Sequence, residues 1–230
     1  MTDPPQTQPL EALPELTRDQ ARRIDRIAIE RHGMSGLVLM ENAGRNCAER
    51  LRSRTDGPVA ICCGKGNNAG DGFVIARHLA NAGCDVTVLM SSPVGELSDD
   101  AAANHRLLAL CDVATVSEVG QWATQLERAA WIVDAMLGTG ASGPPRAPLD
   151  AAIEAVNHAS KPVFAVDLPS GLDSDTGERP GACVAAALTA TFVAPKVGFA
   201  TKSAADVLGL VETIDIGVPR SIIADAIAGG

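Results

Sequence analysis

Apolar residues recur at helical spacing twice near the start of the chain. Between residues 18 and 32 the positions Ala21, Ile24, Ile27 and Ala28 form one stripe, Thr17 is placed to cap the helix and Gly33 to stop it. A second helix is predicted over 36–52. Its Glu41 and Asn42 interrupt an apolar stretch, as a polar helix edge or as part of a site. From there the pattern alternates. Strands are predicted over 58–63, 85–90, 113–116, 131–134, 162–167, 189–193 and 208–215. Helices fall between them over 70–82, 98–110, 119–128 (the weakest) and 148–158. Strands alternating with helices imply an α/β fold with a mostly parallel sheet and helices on both faces. Residues 1–15, rich in Pro and Gln, read as a mobile tail. A single domain is expected over 16–220, with a second tail over 221–230.

Composition narrows the chemistry. Aromatic residues make up only 3% of the chain and Tyr is absent. Any mechanism with a Tyr acid or base is therefore excluded, including the Tyr–Lys pair of short-chain dehydrogenases. A formal charge of −9 argues against a general nucleic-acid binder, but not against an anionic small ligand held by a local nest of N–H groups. The six cysteines contain no Cys-x-x-Cys spacing, and Cys62 and Cys63 point to opposite faces of one strand. They read as buried free thiols. No secretory signal and no bilayer-length apolar run is present, so cytoplasm is the default compartment.

Three predicted strands end in informative sequences, and open parallel sheets bind ligands at such ends. The first runs into Cys63-Gly-Lys-Gly-Asn-Asn-Ala-Gly-Asp-Gly72, a Gly-rich turn into a helix, with Asn67, Asn68 and Asp71. Its glycines miss the G-x-G-x-x-G spacing by one residue, and no Gly-Lys-Ser/Thr makes it a Walker loop. The fourth ends at Asp134 and continues through Gly138, Thr139, Gly140, Ala141, Ser142, Gly143 and Pro144. The fifth ends Asp167-Leu-Pro-Ser170-Gly171. The 138–143 loop suits a phosphate or pyrophosphate. Asn68, Asp134 and Ser170 are hard oxygen donors that suit an alkali or alkaline-earth cation. Asp167, after an apolar strand, could sit partly desolvated and move protons near neutral pH. Each also has a plainer role: Asp134 as a turn cap, Asp167 as the start of an Asx-turn. His78 reads as structural, and His32, His105 and His158 lie on unrelated segments. Asp173, Asp175 and Glu178 read as a solvated loop. Lys196 is open between an anion contact and surface solvation.

Together these motifs resemble the NAD(P)H-hydrate epimerase family, with Met40-Glu-Asn-Ala-Gly44 and Ala194-Pro-Lys-Val-Gly198 adding to the match. The resemblance spans about residues 17–219. It implies a Rossmann-like three-layer α/β/α sandwich with added N-terminal helices, often a homodimer. It implies interconversion of the S and R forms of hydrated NADH and NADPH, NADHX and NADPHX, at C6, for cofactor repair. By motif, Asn67, Asn68, Ala69, Gly70, Asp71, Gly138 to Pro144 and Asp167 would contact the hydrate. Asn68, Asp134 and Ser170 would bind a potassium ion, and Asp167 would be the acid/base. Many bacterial relatives carry a fused ATP- or ADP-dependent dehydratase. Its absence here implies that a separate S-specific dehydratase is the functional partner. One departure is Ala69, where the family usually has Gly; a left-handed backbone there would cost roughly 1–2 kcal/mol. Two rival readings are a non-catalytic Rossmann-like dimerisation or interaction module and a hydride-transferring redox enzyme. The intact acids argue against the first, the failed glycine spacing and missing Tyr against the second.

Overall fold

The computed structural model describes residues 14–229. Within them seven parallel strands form one sheet: β1 (Val59–Cys63), β2 (Val86–Met90), β3 (Ala114–Val116), β4 (Trp131–Ala135), β5 (Val163–Val166), β6 (Leu188–Phe192) and β7 (Leu210–Ile214). Their order is β3-β2-β1-β4-β5-β6-β7, so the winding reverses between β1 and β4. The loops leaving those two strands diverge there and open a crevice at the carboxyl edge.

Strands buried on both faces need apolar residues at successive positions, and β1 (Val-Ala-Ile-Cys-Cys) and β5 (Val-Phe-Ala-Val) supply them. Helices α2 (Gly36–Arg52), α3 (Asn67–Asn81) and α4 (Asp99–Leu108) cover one face, where Cys47, Phe73 and Leu108 pack on Ile61, Val88 and Val133. Helices α5 (Ala123–Arg128) and α6 (Leu149–His158) cover the other, packing Leu126, Ile153 and Val156 on Ala60 and Ile132. Cys63 lies in the first core and Cys62 in the second, as their alternation requires.

Helix α1 (Arg18–Arg26) starts at a capping box: Gln20 N–H donates to Thr17 Oγ1, and Thr17 N–H donates to Gln20 Oε1 at 2.9 Å. A π-turn, Ile27–Arg31, extends it. Three differences from the sequence reading matter. Helix α3 begins at Asn67, so the two amides sit in its first turn and not in a loop. Helix α7 (Lys202–Leu208) has no counterpart among the predicted elements; its stripe of Ala204, Val207 and Leu208 is too short to stand out. The segment read as a tail over 221–230 holds α8 (Arg220–Ala228), which buries Ile222, Ile223 and Ala226 against Ile24, Ile27 and Ala28. The tail expected over 1–15 lies almost wholly outside the described residues.

Candidate functional site

Loops from β1, β4, β5 and β6 meet under α1 around a cavity of about 580 Å³. Its wall includes Asp25, Asn68, Asp71, Gly138, Asp167 and Lys196. The loops come together because Gly64 has no side chain: a β-carbon there would collide with the Met136 carbonyl. Gly138 marks the convergence. A β-carbon on it would lie 3.1 Å from Asp167 Oδ2 and 3.3 Å from Asn68 Cβ.

Asp167 sits just past β5 with φ +69°, an uncommon conformation for a residue with a β-carbon. Val193, just past β6 and also on the cavity wall, has φ +67°. The Asp167 carboxylate accepts a 2.6 Å hydrogen bond from Thr139 N–H and pairs with Lys196 Nζ at 3.2 Å. Lys196 is therefore no surface residue. It is 2% exposed and donates to Thr191 Oγ1 and to the Ala194 and Phe192 carbonyls. Asp167 is buried, as a partly desolvated carboxylate at this strand end would be, but it sits beside a fixed cation that the sequence reading did not pair with it.

Asp134 is fully buried and holds β4 to β5. It accepts from Ser170 Oγ at 2.6 Å, Ser170 N–H at 2.8 Å and Met136 N–H at 3.2 Å. Burial pushes its carboxyl up to about 6, against these hydrogen bonds. Asn68 is also buried, yet neither atom of its amide has a partner among the described residues. Thr139 Oγ1 is in the same state. Unpaired buried polar groups cost free energy, so their presence on a cavity wall points to a ligand. Asp71 is buried on the same wall. Burial, then the charges of Asp167 and Asp25, raise its carboxyl well above the usual range.

The other sequence candidates divide between the cavity wall and positions away from it. Ala69 lies in the first turn of α3, outside the positive-φ residues, and its methyl joins the core. Gly70 faces Met40, not the cavity. Asn67 lines the cavity from an exposed position and accepts from Ser98 Oγ at 2.8 Å. Thr139, Gly140 and Ala141 line the cavity, whereas Ser142, Gly143 and Pro144 are exposed beyond it. Glu41 pairs with Arg77 and His78, clamping α2 to α3, and Asn42 donates to the Ile216 carbonyl. The loop read as merely solvated is anchored: Arg18 pairs with Asp173 at 2.7 Å. Arg18 also donates to the Thr139 carbonyl and Arg22 to that of Gly140, so α1 is tied directly to the site loop. Asp25 carries no signal in the sequence, as one of two acids on a helix with four arginines. Lys196 did give one, as the lone charge in the apolar run 188–199.

A family model described as YjeF-related protein N-terminus matches residues 36–198. The NAD(P)H-hydrate epimerase of Pirellula staleyi is 46% identical over 90% of this chain and 93% of its own length. This chain belongs to the NAD(P)H-hydrate epimerase family. The epimerase of Rhodopirellula baltica is 42% identical, over 94% of this chain and 89% of its own. The bifunctional NAD(P)H-hydrate repair enzyme of Salinibacter ruber is 40% identical over 91% of this chain, which spans only 42% of that protein. Among solved structures, a yeast protein, YNL200c, superimposes with a TM-score of 0.77 at 25% identity, covering 93% of both chains. The family is thus Rossmann-like in fold, as the strand order requires.

Proposed function

We propose that the chain is an NAD(P)H-hydrate epimerase, an isomerase that interconverts the S and R forms of NADHX and NADPHX at C6. The observation behind this reading is the convergence of Asn68, Gly138 and Asp167 on one cavity, at the strand ends where the family motifs fall. The free N–H groups at the start of α3 and the Gly138–Ala141 loop suit the anionic part of the hydrate. Asp167 is the acid/base at the C6 hydroxyl, and Lys196 holds its carboxylate in place. Asp71 shares this wall, its carboxyl raised well above the usual range by burial and by the charges of Asp167 and Asp25.

A potassium ion fits Asn68, Asp134 and Ser170. Asn68 Oδ1 is buried without a partner, Asp134 is a fully buried carboxylate with only neutral donors, and all three present hard oxygens. When bound, potassium supplies positive charge that offsets the buried carboxylates and orders the loops after β4 and β5. The chain's own part is to hold those oxygens together through the Asp134–Ser170 hydrogen bonds.

No described helix is long and apolar enough to cross a membrane. The reading places the activity in the cytoplasm, beside an S-specific dehydratase that consumes one epimer. The test supplies such a dehydratase with ATP and limiting R-NADHX and follows NADH by absorbance. Recovery should exceed the spontaneous rate in the presence of the protein. Asp167→Asn should lower turnover roughly 10²–10⁴-fold with hydrate binding retained. Recovery at the spontaneous rate with folded protein and potassium would sink the epimerase reading.

A further inference from the structure

The epimerase reading leaves Asp25, Asp71 and Asp100 on the cavity wall without a task, and of these Asp25 shares its helix with the arginines that hold the site loop. Asp25 lies on α1, one turn beyond Arg22 and two beyond Arg18, on the helix face that those arginines tie to the Thr139 and Gly140 carbonyls. The helix wall of the cavity therefore presents Asp25, while Asp167 and Lys196 belong to the sheet wall. The other charged groups on the lining are Asp71 from α3, Arg22 from α1, Lys65 after β1 and Asp100 from α4. Lys65 is engaged by Glu96 at 3.0 Å, and the Lys196 ammonium is spent on Asp167, Thr191 and two carbonyls. No cation among the described residues is paired with Asp25.

We propose that Asp25 is the second proton-transfer group of the site, working from the helix wall against Asp167 on the sheet wall. This rests on the epimerase reading, and the chemistry asks for two groups by either route. In ring opening, Asp167 takes the C6 hydroxyl proton, the C6–N1 bond breaks as C6 becomes an aldehyde, and Asp25 gives its proton to N1. Reclosure on the other face reverses both transfers and leaves both acids as they began. In water loss, Asp25 protonates the departing hydroxyl as the N1 lone pair forms C6=N1⁺. Water then adds to the opposite face and Asp167 takes its proton. The two acids exchange protonation states, and solvent restores them. Asp25 is itself exposed, on the open side of the cavity; the protein around it, then the charge of Asp167, lift its carboxyl to about 6 against the opposing pull of Lys196, so it can hold a proton close to neutral pH.

The experiment measures kcat, KM and the pH profile of wild type, Asp25→Asn and Asp25→Glu in the dehydratase-coupled assay, with thermal unfolding as the check on folding. Asp25→Asn should lose at least about 100-fold in kcat with KM within about threefold, and Asp25→Glu should recover part of it. In wild type kcat/KM should decline above a limb near pH 6, because Asp25 acts in its protonated form, and Asp25→Asn should lack that limb. An active wild type with kcat in Asp25→Asn within about threefold, or with the limb intact, overturns the role of Asp25 alone. An inactive wild type removes the epimerase reading, and this role with it.

Discussion

Lys196 Nζ lies 3.2 Å from Asp167 Oδ1, in a pair whose side chains are 2% and 11% exposed. The lysine also satisfies Thr191 Oγ1 and two carbonyls, so it fastens the end of β6 as well as the acid after β5. Removing one partner of a buried pair strands the other. Lys196→Met should therefore destabilise the fold by about 3 kcal/mol in urea unfolding. Lys196→Met combined with Asp167→Asn should cost less than the sum of the singles, and additive effects would show that the two groups do not interact.

The Arg18–Asp173 pair gives a pH dependence of known sign. Burial works against ionisation of Asp173, but the Arg18 hydrogen bond and the Thr176 and Asp175 N–H groups outweigh it, lowering the carboxyl from 3.8 to about 2. A depressed acid stabilises above its unfolded value and loses that contribution as pH falls through the folded one. Asp173→Asn should cost roughly 2 kcal/mol at pH 7, and the difference from wild type should shrink between pH 4 and pH 2. A gap independent of pH would place the cost in packing.

Ala69 needs no reversion. It occupies a helical position with its methyl in the core. Ala69→Gly should destabilise by about 1 kcal/mol and leave turnover unchanged. A gain in activity would show that the β-carbon crowds the hydrate.

The oxygens of Asn68, Asp134 and Ser170 make a specific salt effect. Replacing potassium chloride with choline chloride at equal ionic strength should lower the melting temperature of wild type. At ten times the dissociation constant the ion adds about 1.4 kcal/mol, or roughly 3–6 °C. Asp134→Asn should abolish the difference, and a variant that keeps it would point to another ion site.

Much of this was legible in the chain. Val59–Cys63 and Val163–Val166 are apolar at every position because both faces of their strands are covered, and Gly64, which lets the loops approach, follows the first directly. The motifs at 63–72, 134–144 and 167–171 lie at strand ends, so Asn68, Gly138 and Asp167 could be assigned to one edge before any coordinates. Asn67 and Asn68 look like loop residues in the sequence, yet Gly66 caps α3 and the helix starts at Asn67.

Local pattern determined the alternation of elements, the parallel sheet and the strand ends that hold the acids, because periodicity and turn residues act over a few positions. Partners distant in sequence were decided only by tertiary structure. Lys196 becomes a buried cation because β6 lies beside β5, and Asp25 becomes part of the site because Arg18 and Arg22 tie α1 to a loop more than a hundred residues away. The hydrophobic face of α8 is weak by itself and finds its partner only on α1. A charged side chain's setting depends on which groups packing brings against it, and no spacing along the chain encodes that.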